Sequence, residues 1–225
     1  MVATKVRVQE MVRENFADVR ATLAELPDAR WDEPVLCEGW RVRDLVGHLV
    51  AGTTIPIPRL MAKVAAGGFR VDGVVKRESI KIGDRPIATL RQQFNEESSA
   101  DRPGGFARLL SNENLLADWV THYLDILVPL DIDAELPDER LAAALDILPT
   151  VNTFKSKKRA KGLRLVATDI DWSAGSGPEV HAPAAALILA LGGRPHLASE
   201  LEGEGADVLR RRVSARSQHR TEHTR

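Results

Sequence analysis

Apolar residues recur at helical spacings through the first two-thirds of this chain. Val8, Met11, Val12, Val19, Leu23 and Leu26 predict a helix over about residues 6–26, ended by Pro27 and Asp28. A loop through Trp31, Pro34, Cys37 and Gly39 follows, and a second helix starts near Val42. Asp44 sits in its first turn, where a carboxylate favours the helix dipole. Leu45, Val46, Leu49 and Val50 form its apolar stripe, with His48 on the border. Pro56 and Pro58 interrupt the pattern before a short helix over about 59–66. Residues 67–85 mix loop and helix signals. Pro86 suits a helix start, and Ile87, Leu90 and Phe94 carry that helix to about residue 100. After Pro103-Gly104-Gly105, a helix over about 112–127 presents Leu115, Leu116, Trp119, Val120, Tyr123 and Leu124, and Pro129 closes it. Pro137 opens another over about 138–148.

The pattern changes near Pro149. Lys155 to Lys161 is a basic stretch that reads as a solvated linker or exposed edge, with a phosphate or acidic-ligand contact as the alternative. In 162–169 the residues alternate, Leu163, Leu165 and Ala167 on one parity and Arg164, Val166 and Thr168 on the other, which predicts a strand. Asp171-Trp172 and Gly175-Ser176-Gly177 mark a turn, and Glu179-Val180-His181 is a second strand candidate. Pro183 starts a helix stopped by Gly192-Gly193. Arg194 to Leu201 forms a short segment and Ala206 to Arg212 a turn or two of helix. Ser214 to Arg225 is polar and aperiodic and is expected to be disordered. The expected fold is mainly α: a helical bundle over 1–148, a linker over 149–161, and a small α+β domain over 162–212. That second piece is too short to hold a large core of its own.

Composition narrows the class without naming a function. The 225 residues are 44% hydrophobic and 28% charged with a net charge of −1, as in soluble globular proteins. Near neutrality argues against an extended nucleic-acid surface. No apolar run approaches the ~18 residues of a membrane span. Residues 1–10 lack the apolar core of a secretory signal, and the single cysteine excludes an internal disulfide framework. A cytoplasmic location is expected.

The candidate chemistry lies in Asp118 and His122. Four residues apart on one helix, they share a face. With His48 from a second helix they offer three protein ligands and an open position, the pattern of a catalytic metal site. Zinc is the default for mixed histidine and carboxylate donors. Asp125, three after His122, is an alternative acidic ligand, or a carboxylate that orients the imidazole. Set against these readings, a histidine on an apolar border is usually a hydrogen-bonded core residue. Cys37 reads as a buried structural thiol, and Trp40, Trp119 and Trp172 as core anchors. His181 and His196 have no partner spacing.

Trp31, Pro34 and the run from Cys37-Glu38-Gly39-Trp40 through Gly47-His48-Leu49 resemble the N-terminal signature of the mycothiol-dependent maleylpyruvate isomerase family, within the DinB-like metal-binding four-helix bundles. Thr121 to Ile126 with Pro129-Leu130 is similar to its second signature. Matches continue through 162–169 with Asp171-Trp172, through Ala184 to Leu191 with Gly193-Arg194-Pro195, and at Leu201 and Gly203-Glu204-Gly205. The resemblance implies a DinB-like four-helix bundle with a small C-terminal domain, and a divalent metal, usually zinc, on His48, Asp118 and His122. It also implies mycothiol as a thiol cosubstrate at the open position. Arg194 becomes the candidate for a substrate or thiol anion contact, with a structural ion pair as its alternative; Arg164 is a weaker candidate. Two positions depart from the family pattern. Asp118 stands where glutamate is common. Arg41 replaces a serine or threonine cap, so helix two should fray at its start.

The implied enzyme activates a low-molecular-weight thiol for addition to a small electrophile, as an isomerase or an S-transferase. The alternatives are a metal-dependent hydrolase or a non-catalytic metal- or thiol-binding protein. No nucleic-acid or membrane partner is expected, and the protein should be a monomer or homodimer.

Overall fold

A computed structural model describes residues 4–69, 71–100, 103–151 and 153–221. The fold is mainly α, with a small three-stranded sheet near the C-terminus. Two compact units share the chain: Gln9–Leu115 with Ile126–Ile132, and Met1–Val8 with Leu116–Asp125 and Asp133–Arg225. No helix among the described residues is long and apolar enough to cross a membrane.

The first unit holds most of α1 (Lys5–Glu25) and all of α2 (Val42–Thr54), α3 (Ile57–Ala66), α4 (Val71–Gly83) and α5 (Ile87–Ser98). Met11, Val19 and Leu23, the stripe expected of α1, are buried. Pro58 does not break α3, because it lies in the first turn, where a missing N–H costs nothing. The uncertain segment before Pro86 is helical as α4, which packs against α2. Two glycines permit that approach. A Cβ on Gly47 would stand 2.3 Å from the Ser79 carbonyl oxygen, and one on Gly83 would stand 2.6 Å from that of Arg43.

The start of α2 is tied by Asp44, although Arg41 supplies no side-chain cap. Asp44 Oδ2 accepts the Arg41 backbone N–H at 2.9 Å, and the Arg41 guanidinium bonds both oxygens of that carboxylate at 2.9 Å. Asp32 and Asp84 accept from the same guanidinium at 2.9 and 2.8 Å. An arginine cannot accept the N–H bonds that a serine would, so Asp44 ties the turn from inside the helix.

The second unit contains the middle of α6 (Asn112–Leu127), α7 (Asp138–Ile147), α8 (Ser156–Ala160), α9 (Ala184–Gly192) and α10 (Ala206–Thr221). Its strands are β1 (Arg164–Ala167), β2 (Ser173–Gly175) and β3 (Glu179–Ala182), in the order β2-β1-β3. β1 runs antiparallel to β2 and parallel to β3. Leu163, Leu165 and Ala167 are buried, as the alternation requires. β2 lies where only a turn was expected; three residues with no apolar alternation are strand solely because they pair with β1. The basic stretch contains a short helix, α8, with Ser156 and Arg159 buried and Lys157 and Lys158 exposed. α10 extends to Thr221, into the segment expected to be disordered, while residues 222–225 lie outside the described residues.

Candidate metal centre and its supporting residues

α6 is built to present one polar face. The Ser111 hydroxyl accepts the Asn114 N–H at 3.3 Å and caps its start. Leu115, Leu116, Trp119, Val120, Tyr123 and Leu124 are buried. The helix then carries three chemically active residues, Asp118, His122 and Asp125.

Asp125 is fully buried and Arg194 almost so, with side chains 0% and 7% exposed. The guanidinium grips the carboxylate through two bonds, Nε to Oδ1 at 2.9 Å and an Nη to Oδ2 at 2.6 Å. This bidentate, charge-assisted geometry is the strongest available to the pair. Burial alone would raise the Asp125 pKa; the Arg194 charge and the His122 and Arg194 hydrogen bonds outweigh it and hold the carboxyl well below its usual range. A third donor of Arg194 reaches the Gly192 carbonyl at 2.6 Å, and the guanidinium lies over the Phe154 ring, 4.5 Å from its centroid.

A helix end aims Arg194. Gly193 has φ +83, its N–H bonds the Ala190 carbonyl at 3.0 Å, and the Arg194 N–H bonds the Leu189 carbonyl at 2.8 Å. These are the two bonds of a Schellman stop. A Cβ on Gly193 would also stand 2.4 Å from an Nη of Arg159.

The other partner of Asp125 is His122. Asp125 Oδ2 lies 2.9 Å from His122 Nδ1. An ionised carboxylate only accepts, so Nδ1 carries a hydrogen, and in the neutral ring Nε2 then keeps the lone pair. Asp118 Oδ1 lies 3.7 Å from that Nε2. This is too far for a hydrogen bond, but two ligands bound about 2.0–2.2 Å from a tetrahedral ion stand about 3.3–3.6 Å apart. Burial raises the Asp118 pKa, against opposing pulls from His122 and Arg194. Phe154 closes the other side, its ring edge-on to His122 at 5.7 Å between centroids.

His48 has a different environment. It is half-buried on α2. Trp40 packs edge-on against its ring, 5.5 Å between centroids, and the Ser79 hydroxyl lies 3.4 Å from Nδ1. That hydroxyl donates its hydrogen to the Val75 carbonyl at 2.7 Å. It is therefore left to accept from Nδ1.

The sequence model of the mycothiol maleylpyruvate isomerase N-terminal domain matches residues 12–128, more than half of the chain. The chain belongs to that family. Among solved structures it is similar to mycothiol-dependent maleylpyruvate isomerase, with 15% identity over 91% of this chain and 94% of that one and a TM-score of 0.54. A histidine-to-alanine mutant of that enzyme gives a TM-score of 0.58 at the same identity and coverage. At this identity the likeness establishes a shared fold. No curated protein matches the chain in sequence.

A divalent metal, expected of this family, fits the donors on α6. His122 offers an oriented Nε2 and Asp118 a carboxylate at ligand spacing, while both oxygens of Asp125 are already engaged. Of the two readings left open for Asp125, the geometry favours the carboxylate that orients the ring. Arg194 likewise sits in a buried ion pair, the second of its two readings. Arg164 is exposed on β1, within 3.2 Å of Glu179 and 3.1 Å of the Ser173 hydroxyl, a surface pairing. His181 pairs with Glu179 at 2.9 Å and His196 is exposed. Trp119 is a core residue, as expected. Trp40 and Trp172 are only half-buried; Trp40 braces His48 and Trp172 donates to Asp146 at 2.8 Å. Cys37 is half-buried rather than buried. Sequence reasoning missed Ser79 and Phe154, since one lay in the stretch without a clear period and the other within the segment read as a linker.

Proposed function

We propose that the protein is a metal- and mycothiol-dependent isomerase of the maleylpyruvate isomerase kind, with His48, Asp118 and His122 as metal ligands. The observation that carries this reading is the chain Arg194–Asp125–His122, which holds the ring by Nδ1, with Asp118 Oδ1 at 3.7 Å from Nε2. Support for His48 comes from the family signature around it.

A divalent ion held by these residues would lower the pKa of a thiol brought to it, from about 8.5, so that the thiolate forms at neutral pH. The thiolate adds to one carbon of an activated C=C bond, and the electron pair moves onto the conjugated carbonyl. Rotation about the resulting single bond and expulsion of the thiolate give the isomer. A retained thioether is the S-transferase outcome of the same first step. Asp125 and Arg194 keep His122 in one tautomer and orientation. The half-buried Asp118 carboxylate would supply negative charge that favours a cation there.

The test is the thiol requirement. With metal loaded, mycothiol should bind by calorimetry and maleylpyruvate turnover should require it. After chelation both should vanish. Equal mycothiol binding to metal-free protein would remove the proposed role of the metal, and ester or amide hydrolysis without thiol would replace the reaction.

A further inference from the structure

Phe154 and Lys155 are consecutive left-handed residues, at φ 58° and 60°. Such non-glycine conformations cost about 1–3 kcal/mol each and persist only where the surroundings impose them. Here they are imposed. Arg159 bonds the Phe154 carbonyl, and the Leu191 carbonyl at 2.9 Å. Ser156 donates to the same Leu191 oxygen at 3.0 Å. Arg212 clamps the carbonyls of Arg159 and Lys161 at 2.6 and 2.7 Å. The arginines are thus spent on backbone oxygens, and the lysines are left at the surface.

The consequence is a groove of about 720 Å³ walled by Pro149, Lys155, Lys157, Lys158, Ala160 and Lys161. Every charged residue in that wall is a lysine, in a chain with 31 basic and 32 acidic residues. No carboxylate-bearing residue lines the wall, so the charge its residues carry is of one sign. The volume falls within the range of small-molecule sites, about 300–1,000 Å³. Lysine is a mobile point charge able to follow an oxyanion of any shape. A merely solvated basic edge requires neither the concavity nor the strained, clamped backbone beneath it.

We propose that this groove binds a small multivalent oxyanion, an organic polyphosphate or a polycarboxylate. Calorimetry on the metal-free full-length chain tests it, with tripolyphosphate and citrate as separate probes at fixed ionic strength. Saturable binding of either is expected, and the probe preferred identifies the anion class. The triple variant Lys157→Gln/Lys158→Gln/Lys161→Gln should bind at least about tenfold more weakly, since exposed charge–charge attractions add modestly. Neutralising Lys5, Lys76 and Lys81 instead should leave affinity unchanged. Equal loss in both triple variants would reduce the effect to net charge and overturn the site. So would the absence of saturable binding to either probe, or saturable binding of a single-stranded oligonucleotide alone.

Discussion

His122 and His48 are the two imidazoles expected to share a metal, and they are held very differently. His122 is buried, with Nδ1 bonded at 2.9 Å to a carboxylate that is itself gripped by a buried guanidinium. His48 is half-buried, with its Nδ1 3.4 Å from a neutral hydroxyl and a tryptophan edge-on to its ring. One ring is locked by charge, the other is steered by packing. The contrast shows what fixes a ligand's tautomer. A charged acceptor does so strongly wherever the backbone stands, whereas a hydroxyl does so only while the helix that carries it stays close. Orientation of His122 therefore depends on a charge pair, and that of His48 on the α2–α4 contact.

Breaking the charge pair should have the largest effect. Asp125→Ala strands a buried arginine and should cost about 3–5 kcal/mol in denaturant unfolding. Metal affinity should fall about 10–100-fold as the His122 ring loses its partner. Replacing both members, Asp125→Leu with Arg194→Met, should cost less stability than Asp125→Ala while leaving metal affinity impaired. The same pair gives an acid signature. Because the folded Asp125 pKa is depressed, its stabilisation is complete above the unfolded value of about 3.9 and is lost as pH falls below it. The double variant should lose less stability than wild type over that acid range, and equal losses would place the linkage elsewhere.

On the His48 side, Gly47→Ala should matter more than any change to Ser79. The new methyl would meet the Ser79 carbonyl oxygen and force α4 away, costing about 1–3 kcal/mol as other overpacked contacts do. Ser79→Ala removes only the long contact and should cost under about 1 kcal/mol, with metal affinity changed by less than about tenfold. If Ser79→Ala proved as damaging as Asp125→Ala, the two histidines would be held alike and the contrast would fail.

Much of this was legible in the sequence because it is local. The i,i+4 spacing of Asp118 and His122, the apolar stripe of α6 and the glycine stop before Arg194 each depend on a few neighbouring residues. The choice between Asp118 and Asp125 was not legible, because it depends on Arg194, 69 residues further along. Arg41 was misread for a similar reason. Cap statistics describe the residue at the cap, but here Asp44 three residues later, with Asp32 and Asp84, does the tying. β2 has no apolar pattern of its own and exists only as a pairing partner. Phe154 was hidden because its left-handed backbone is bonded by Arg159, which is in turn held by the distant Leu191 carbonyl.

The most direct test of the metal assignment is elemental analysis of purified wild type beside Asp118→Asn, Asp125→Asn and His48→Ala. Wild type should carry stoichiometric divalent metal, Asp118→Asn and His48→Ala should lose it, and Asp125→Asn should retain it with weakened affinity. Full metal in Asp118→Asn, together with its loss in Asp125→Asn, would reverse the roles given to the two acids and contradict the account.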